Sequence, residues 1–322
     1  MGSVGLARMG TVLLLGALVL GLAPARADDA PEVPAWLAAH VGEGEGQIAP
    51  LVLARAQALY RRKVAEGAVR NPCYFAMDAT RPNTAEDGGP GRRFYVICEA
   101  ARTFQAIPAG HGAGRRLDGL ADFTNGRECA KNFGNAQDSE LTAGGAYVTA
   151  EIKDSFKGYY RAAGGGDLPL VRSFVQFEGE GDAANARLRA IGGHAALTLK
   201  GFCRRRAPHD PHADDGGYVL QGTLVDYTSG RSNGCTSWSP ADAAALVASV
   251  KDAPTTLYLY PEAADIDAVA HGEAGAYWNA ACLRAIGSPV YWPQGALAPL
   301  IAQYRRDHPP PPPRPIPLCA AP

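Results

Sequence analysis

Two side chains carry the chemistry that this sequence allows: the thiol of Cys235 and the imidazole of His194. Cys235 ends the run Gly230-Arg231-Ser232-Asn233-Gly234-Cys235, and His194 follows two glycines in Ile191-Gly192-Gly193-His194-Ala195. A thiol becomes a strong nucleophile once deprotonated, and a nearby imidazole can take its proton. Glycine before the thiol permits a tight turn, so that backbone N–H groups around Gly234 and Cys235 face one point. Such donors suit the oxyanion of an acyl-transfer intermediate. Counting singles out one thiol as well. The chain holds Cys73, Cys98, Cys129, Cys203, Cys235, Cys282 and Cys319, an odd number. In an oxidising compartment the odd one is free, paired to another molecule, or at work.

The elements that must position these residues read as mainly β. Short β-branched or aromatic runs at 94–98, 146–152, 170–177, 188–191, 218–224 and 255–260 alternate with Gly, Asp and Asn clusters. That texture predicts a sandwich or barrel rather than repeated βαβ units. A helix is predicted over 50–69, with Leu51, Leu53, Ala54, Ala58, Leu59 and Val64 recurring at spacings of about three and four. A second, over 240–250, has Ser239 as N-cap and Pro240 at its first position. Charges, prolines and two histidines fill 202–217, which reads as a surface insertion between strands. Its His209, Asp210, His212, Asp214 and Asp215 are metal-ligand types close in sequence, but a flexible loop with no second ligand cluster predicts no bound metal. After residue 264 the strand texture stops, and the chain runs into a proline rod at 309–313.

The N-terminus predicts export. Arg8 supplies a basic start, 9–22 is apolar, and Ala25-Arg26-Ala27 is a cleavage signal. The apolar run is too short to span a bilayer comfortably, which takes roughly 20 residues. A signal peptide over 1–27 therefore precedes a lead-in and helix at 28–69, a main domain at 70–264 and an extension at 265–322. The mature chain is expected in the periplasm or secreted, with no membrane span. Removing Arg8 and Arg26 from the 31 Lys and Arg leaves 29 against 32 acids, a net charge of −3. That balance gives no reason to expect nucleic acid as a partner. The Arg204-Arg205-Arg206 cluster reads as a solvated loop answered by Asp210, Asp214 and Asp215. Three disulfides and one free thiol are the economical reading of the cysteines, and six cysteines allow 15 pairings. The favoured pair joins Cys282 to Cys319, both in the extension. No C-x-x-C pair is present, which argues against a zinc ribbon or a thioredoxin-like centre.

The order His194 then Cys235 is the reverse of papain-like enzymes. Together, 191–195 and 230–235 resemble the paired motifs of the L,D-transpeptidase catalytic domain, in its murein L,D-transpeptidase branch. Flanking pieces fit as well: Phe94-Tyr95-Val96-Ile97, Gly110-His111-Gly112, Phe133-Gly134-Asn135, the turn at 144–147, Asn185 with 187–191, and Leu257-Tyr258-Leu259-Tyr260-Pro261. The resemblance covers about residues 70–262. The chain departs from the family pattern at Gly193-His194-Ala195, at Asn233, and at Thr236-Ser237-Trp238.

The resemblance implies a β-sandwich-like catalytic domain that needs no cofactor and takes peptidoglycan stem peptides. Cys235 is then the nucleophile and His194 its base, oriented by a backbone carbonyl. Gly234, Asn233, Ser232, Arg231, His111 and Gly193 are the residues expected to form the oxyanion and substrate site. A carbapenem is expected to add covalently to Cys235. A binding module of the same fold without turnover is the alternative. A sortase-like enzyme is disfavoured, since the next arginine after Cys235 is Arg284.

Overall fold

The computed structural model describes residues 1–2 and 33–320. The apolar run at 9–22 and the signal Ala25-Arg26-Ala27 lie outside the described residues. From Val33 onward the chain packs as one compact unit.

The molecule is mainly β, as its texture predicts. Ten strands form one mixed sheet, whose main path runs Thr236–Trp238, Gly192–Ala195, Asp167–Gly179, Gly145–Arg161, Thr256–Tyr260, Cys73–Asp78, Arg92–Cys98 and Thr103–Pro108. The pair Leu197–Arg206 and Tyr218–Asp226 joins the far end of Gly145–Arg161 through Gln221↔Tyr159 and Gly222↔Tyr160. Alternation explains why the central strands are covered on both sides. Side chains of successive strand residues point to opposite faces. Phe75, Met77, Phe94, Leu257 and Leu259 enter one core with Tyr147, Val175 and Trp238. Their neighbours Tyr74, Tyr95, Ile97, Tyr258 and Tyr260 enter the other. Each fully buried large apolar side chain contributes about 1.5–3 kcal/mol, so both faces need a cover.

Helices supply it. Pro50–Ala65 lies on the second face and buries Val52, Leu53, Ala56 and Leu59. Its apolar face is turned from the predicted one: Val64 is 45 % exposed and Ala58 lies outside, while Gln57 and Lys63 are buried. Pro50 takes its first position, where a proline costs no helical bond. Pro240–Val250 covers the first face through Ala243, Leu246 and Val250. Its Ser239 side chain accepts the Asp242 N–H, the cap that the sequence predicts.

Several expectations are corrected. Residues 202–206 belong to the strand Leu197–Arg206 rather than to an insertion; the connecting loop is shorter, and Arg204 and Arg205 pair with Asp214 and Asp167. The run at 188–191 is a turn, because Ala190 and Ile191 bond back to Arg187 and Ala186. Strands do not stop at 264: Val290–Trp292 pairs in parallel with Asn132–Gly134. Cys282 joins Cys129 and Cys319 joins Cys203, not each other, while Cys73 joins Cys98 across adjacent strands. The pairing follows from where the chain goes. The 290–292 ladder brings the extension to the Cys129 loop, and the tail pairs at Leu318 with Arg204. The extension is therefore woven into the body, with Leu297 and Ile301 buried against Leu117, Phe123 and Leu141. Residues 309–313 are exposed and outside any helix or strand. No helix among the described residues is long and apolar enough to cross a membrane.

Candidate active site

His194 lies in the strand Gly192–Ala195, and Cys235 immediately precedes its parallel neighbour Thr236–Trp238. Register pairs Gly193 with Thr236, His194 with Ser237 and Ala195 with Trp238. His194 and Cys235 thus project from one face of two adjacent strands, and both line one cavity of about 720 Å³.

Two glycines make this arrangement possible. A Cβ on Gly193 would stand 1.9 Å from the Trp238 indole, so only glycine lets the two strands close over that ring. Gly234 has φ +100°, a conformation that side chains rarely adopt, and this turns the chain sharply before Cys235. The Ser232 hydroxyl donates to the Cys235 carbonyl and closes the turn from within. Ser232 therefore braces the turn as well as lining the cavity.

Cys235 is the one free thiol among the described residues. Its sulfur sits on the cavity floor, partly open to solvent yet surrounded by protein, and donates to the Ala190 carbonyl at 3.6 Å. Ala190 has φ +51°, and such a left-handed backbone costs a residue with a Cβ about 1–2 kcal/mol. Burial raises the thiol above its ordinary range, while the Gly192 backbone and the charges of Arg172 and Arg189 pull the other way.

His194 is 6 % exposed. Its Nδ1 lies 2.8 Å from the Ala195 carbonyl oxygen. A carbonyl only accepts, so Nδ1 carries the hydrogen and Nε2 is left unprotonated. Burial, with Arg172 and Lys157 nearby, lowers its pKa to about 4 although the Ala195 bond opposes this. Phe174 stacks alongside with ring centroids 6.2 Å apart. At neutral pH the resting pair is a thiol and a neutral imidazole.

Among the other expected residues, Arg231, Ser232 and Asn233 line the same cavity, and Arg231 donates to the Asn125 carbonyl at 2.7 Å. Asn233 and Cys235 also border a second cavity of about 290 Å³, beside Arg189 and Glu140. His111 is brought to the motif from behind: it pairs with Arg231 in a two-residue ladder, and its side chain is wholly buried outside both cavities. Arg93, itself fully buried, donates to His111 Nδ1 at 2.7 Å and to the carbonyls of Arg81 and Ala109. Burial and the Arg93 charge keep His111 neutral. The metal-type residues of the 207–217 loop are engaged otherwise. Asp210 accepts from Tyr159 at 2.6 Å, Asp214 from Arg204 at 2.7 Å, and His212 stacks on Phe156 at 3.9 Å.

Sequence reading misses Arg172, Lys157, Lys153, Lys200 and Tyr227, all of which line the larger cavity. A signal exists for some of them, since Lys153, Ser155 and Lys157 alternate along one face of Gly145–Arg161. Which partner that face meets depends on pairings far away in sequence. No known protein-family model matches the chain, and no curated protein matches it.

Proposed function

We propose that the chain is an exported cysteine acyltransferase of the L,D-transpeptidase type, acting on peptidoglycan stem peptides. One observation carries the reading: Cys235 and His194 share a cavity, with Nδ1 of the imidazole tied to a backbone carbonyl and Nε2 left as a base. In this mechanism His194 Nε2 takes the thiol proton as sulfur attacks the carbonyl of the L,D-peptide bond. Backbone N–H groups at the Gly234–Cys235 turn receive the developing oxyanion. The imidazolium then protonates the leaving D-amino acid, giving a thioester. An amine of a second stem attacks that thioester to form a cross-link, and water in its place trims the stem. Two cavities meeting at one thiol suit a donor and an acceptor that arrive in turn.

A second reading is a stem-peptide-binding module without turnover. The unfavourable proton transfer favours it: burial makes His194 a weak base, with a pKa of about 4, and holds the Cys235 thiol above its ordinary range. Incubation with purified disaccharide tetrapeptide, followed by mass analysis, separates the two. Cross-linked dimers or trimmed tripeptides support the enzyme. Unchanged substrate that nonetheless binds supports the module, and absence of binding rejects both.

A further inference from the structure

The larger cavity is lined by Lys153, Lys157, Arg172, Lys200 and Arg231, and by no carboxylate. The chain as a whole is slightly acidic, so this is a matter of placement and not of composition. The placement is built by the fold. Arg172 faces Ser155 across the long hairpin, which sets it beside the alternating Lys153 and Lys157. Lys200 comes from the adjoining hairpin strand Leu197–Arg206.

Several cations elsewhere on this molecule are matched by acids: Arg187 bonds Glu151 and Glu178, Arg62 bonds Glu180, and Arg204 bonds Asp214. In the cavity only Lys153 has such a partner, Glu151 at 3.0 Å. Arg172 bonds the Leu197 carbonyl at 3.4 Å and lies beside the Tyr227 hydroxyl, but no carboxylate pairs with its guanidinium fork. A planar fork of this kind pairs with a carboxylate through two parallel bonds. Like charges gathered in a concave site, with low-dielectric walls, focus the field on whatever anion enters.

We propose that Arg172, Lys157 and Lys200 form a carboxylate-binding subsite beside Cys235. Identifying its occupant as the acyl-donor peptide rests on the function proposed above. The subsite selects donors that carry free carboxylates over the same peptides with those groups amidated, and it draws them toward the thiol.

The test compares iodoacetate with iodoacetamide as alkylating agents of Cys235 in the full chain, with N-acetylcysteine as reference thiol. The two reagents differ chiefly in charge, so their rate ratio reads the local field. At low ionic strength the ratio should exceed that of N-acetylcysteine by about tenfold, within the range that charge focusing gives. It should collapse in about 0.5 M salt, where screening acts within a few ångströms. Combining Arg172→Gln with Lys157→Gln should bring it close to the reference, while Arg172→Lys alone should largely keep it. These side chains are partly exposed, so the fold should tolerate the changes. A ratio equal to the reference in the unaltered protein, or one unmoved by the double substitution, overturns the proposal. A raised ratio in a protein that turns over no stem peptide keeps the anion site and retires the stem-peptide reading; turnover with an ordinary ratio does the reverse.

Discussion

His194 and Ser237 are register partners in two parallel strands. That pairing alone places Cys235, two residues before Ser237, on the face from which His194 projects. By strand geometry the two backbones are separated by about 6.6 Å along the strand and about 4.8 Å across it. A thiol and an imidazole can meet over that gap. The pairing is held from behind by Trp238, which packs under Gly193 and against Phe94 at 5.3 Å.

Intact-mass measurement with a thiol reagent, under native and non-reducing conditions, should find one modified site. The other six cysteines are bonded in pairs. A carbapenem should add to the same residue, and Cys235→Ala should abolish both adducts while shifting the thermal midpoint by no more than a few degrees. An adduct that persists in that variant would place the reactive group elsewhere.

His194→Gln removes the base but preserves much of the side-chain volume. Acyl transfer should fall by about 10²–10⁴-fold, the usual contribution of a positioned base. Stem-peptide binding, measured by calorimetry, should change little. A loss of binding as large as the loss of rate would assign His194 to substrate recognition instead.

Acid should destabilise the protein through the same histidine. Its pKa falls from 6.5 to about 4 on folding, so the unfolded chain takes up a proton first as pH drops. Stability from this residue is complete above pH 6.5 and is lost as pH falls toward 4, by on the order of 3 kcal/mol. His111, held neutral by burial, adds in the same direction. Urea unfolding at neutral pH and near pH 4 should show a smaller difference in His194→Asn than in the unaltered protein.

Gly193→Ala inserts a methyl into the Trp238 ring. Overpacking of this kind costs roughly 1–3 kcal/mol. Here it should also push apart the strands that carry His194 and Cys235. A lowered midpoint together with loss of carbapenem adduct is the expected result. An unchanged adduct rate would mean that the strand spacing does not govern the thiol.

Residues whose meaning is local were legible in the sequence. Gly234 before Cys235, Ser239 before Pro240, and the odd cysteine out of seven each announce themselves over a few positions, and the structure places them accordingly. Residues whose meaning comes from distant pairing were not. Arg172 reaches the cavity only because Asp167–Gly179 lies between Gly145–Arg161 and Gly192–Ala195. Val290–Trp292 is too short to show a period, and it exists as a strand because Asn132–Gly134 accepts it. The partners of Cys282 and Cys319 likewise depend on where each segment docks. The helix Pro50–Ala65 is legible as a helix, but its buried face is not: alanines fit either side, and Lys63 is buried through its bonds to Glu66 and Glu180.

The disulfides between Cys129 and Cys282 and between Cys203 and Cys319 close loops that overlap along the chain. Any single backbone cut between Cys129 and Cys319 therefore falls inside at least one covalent ring. A protease that nicks the chain once there, even in the exposed proline segment, releases no fragment until the disulfides are reduced. Both His194 and Cys235 lie within that protected span, and Cys235 lies inside both rings. The covalent topology gives the site a tolerance of nicking that its packing alone would not supply.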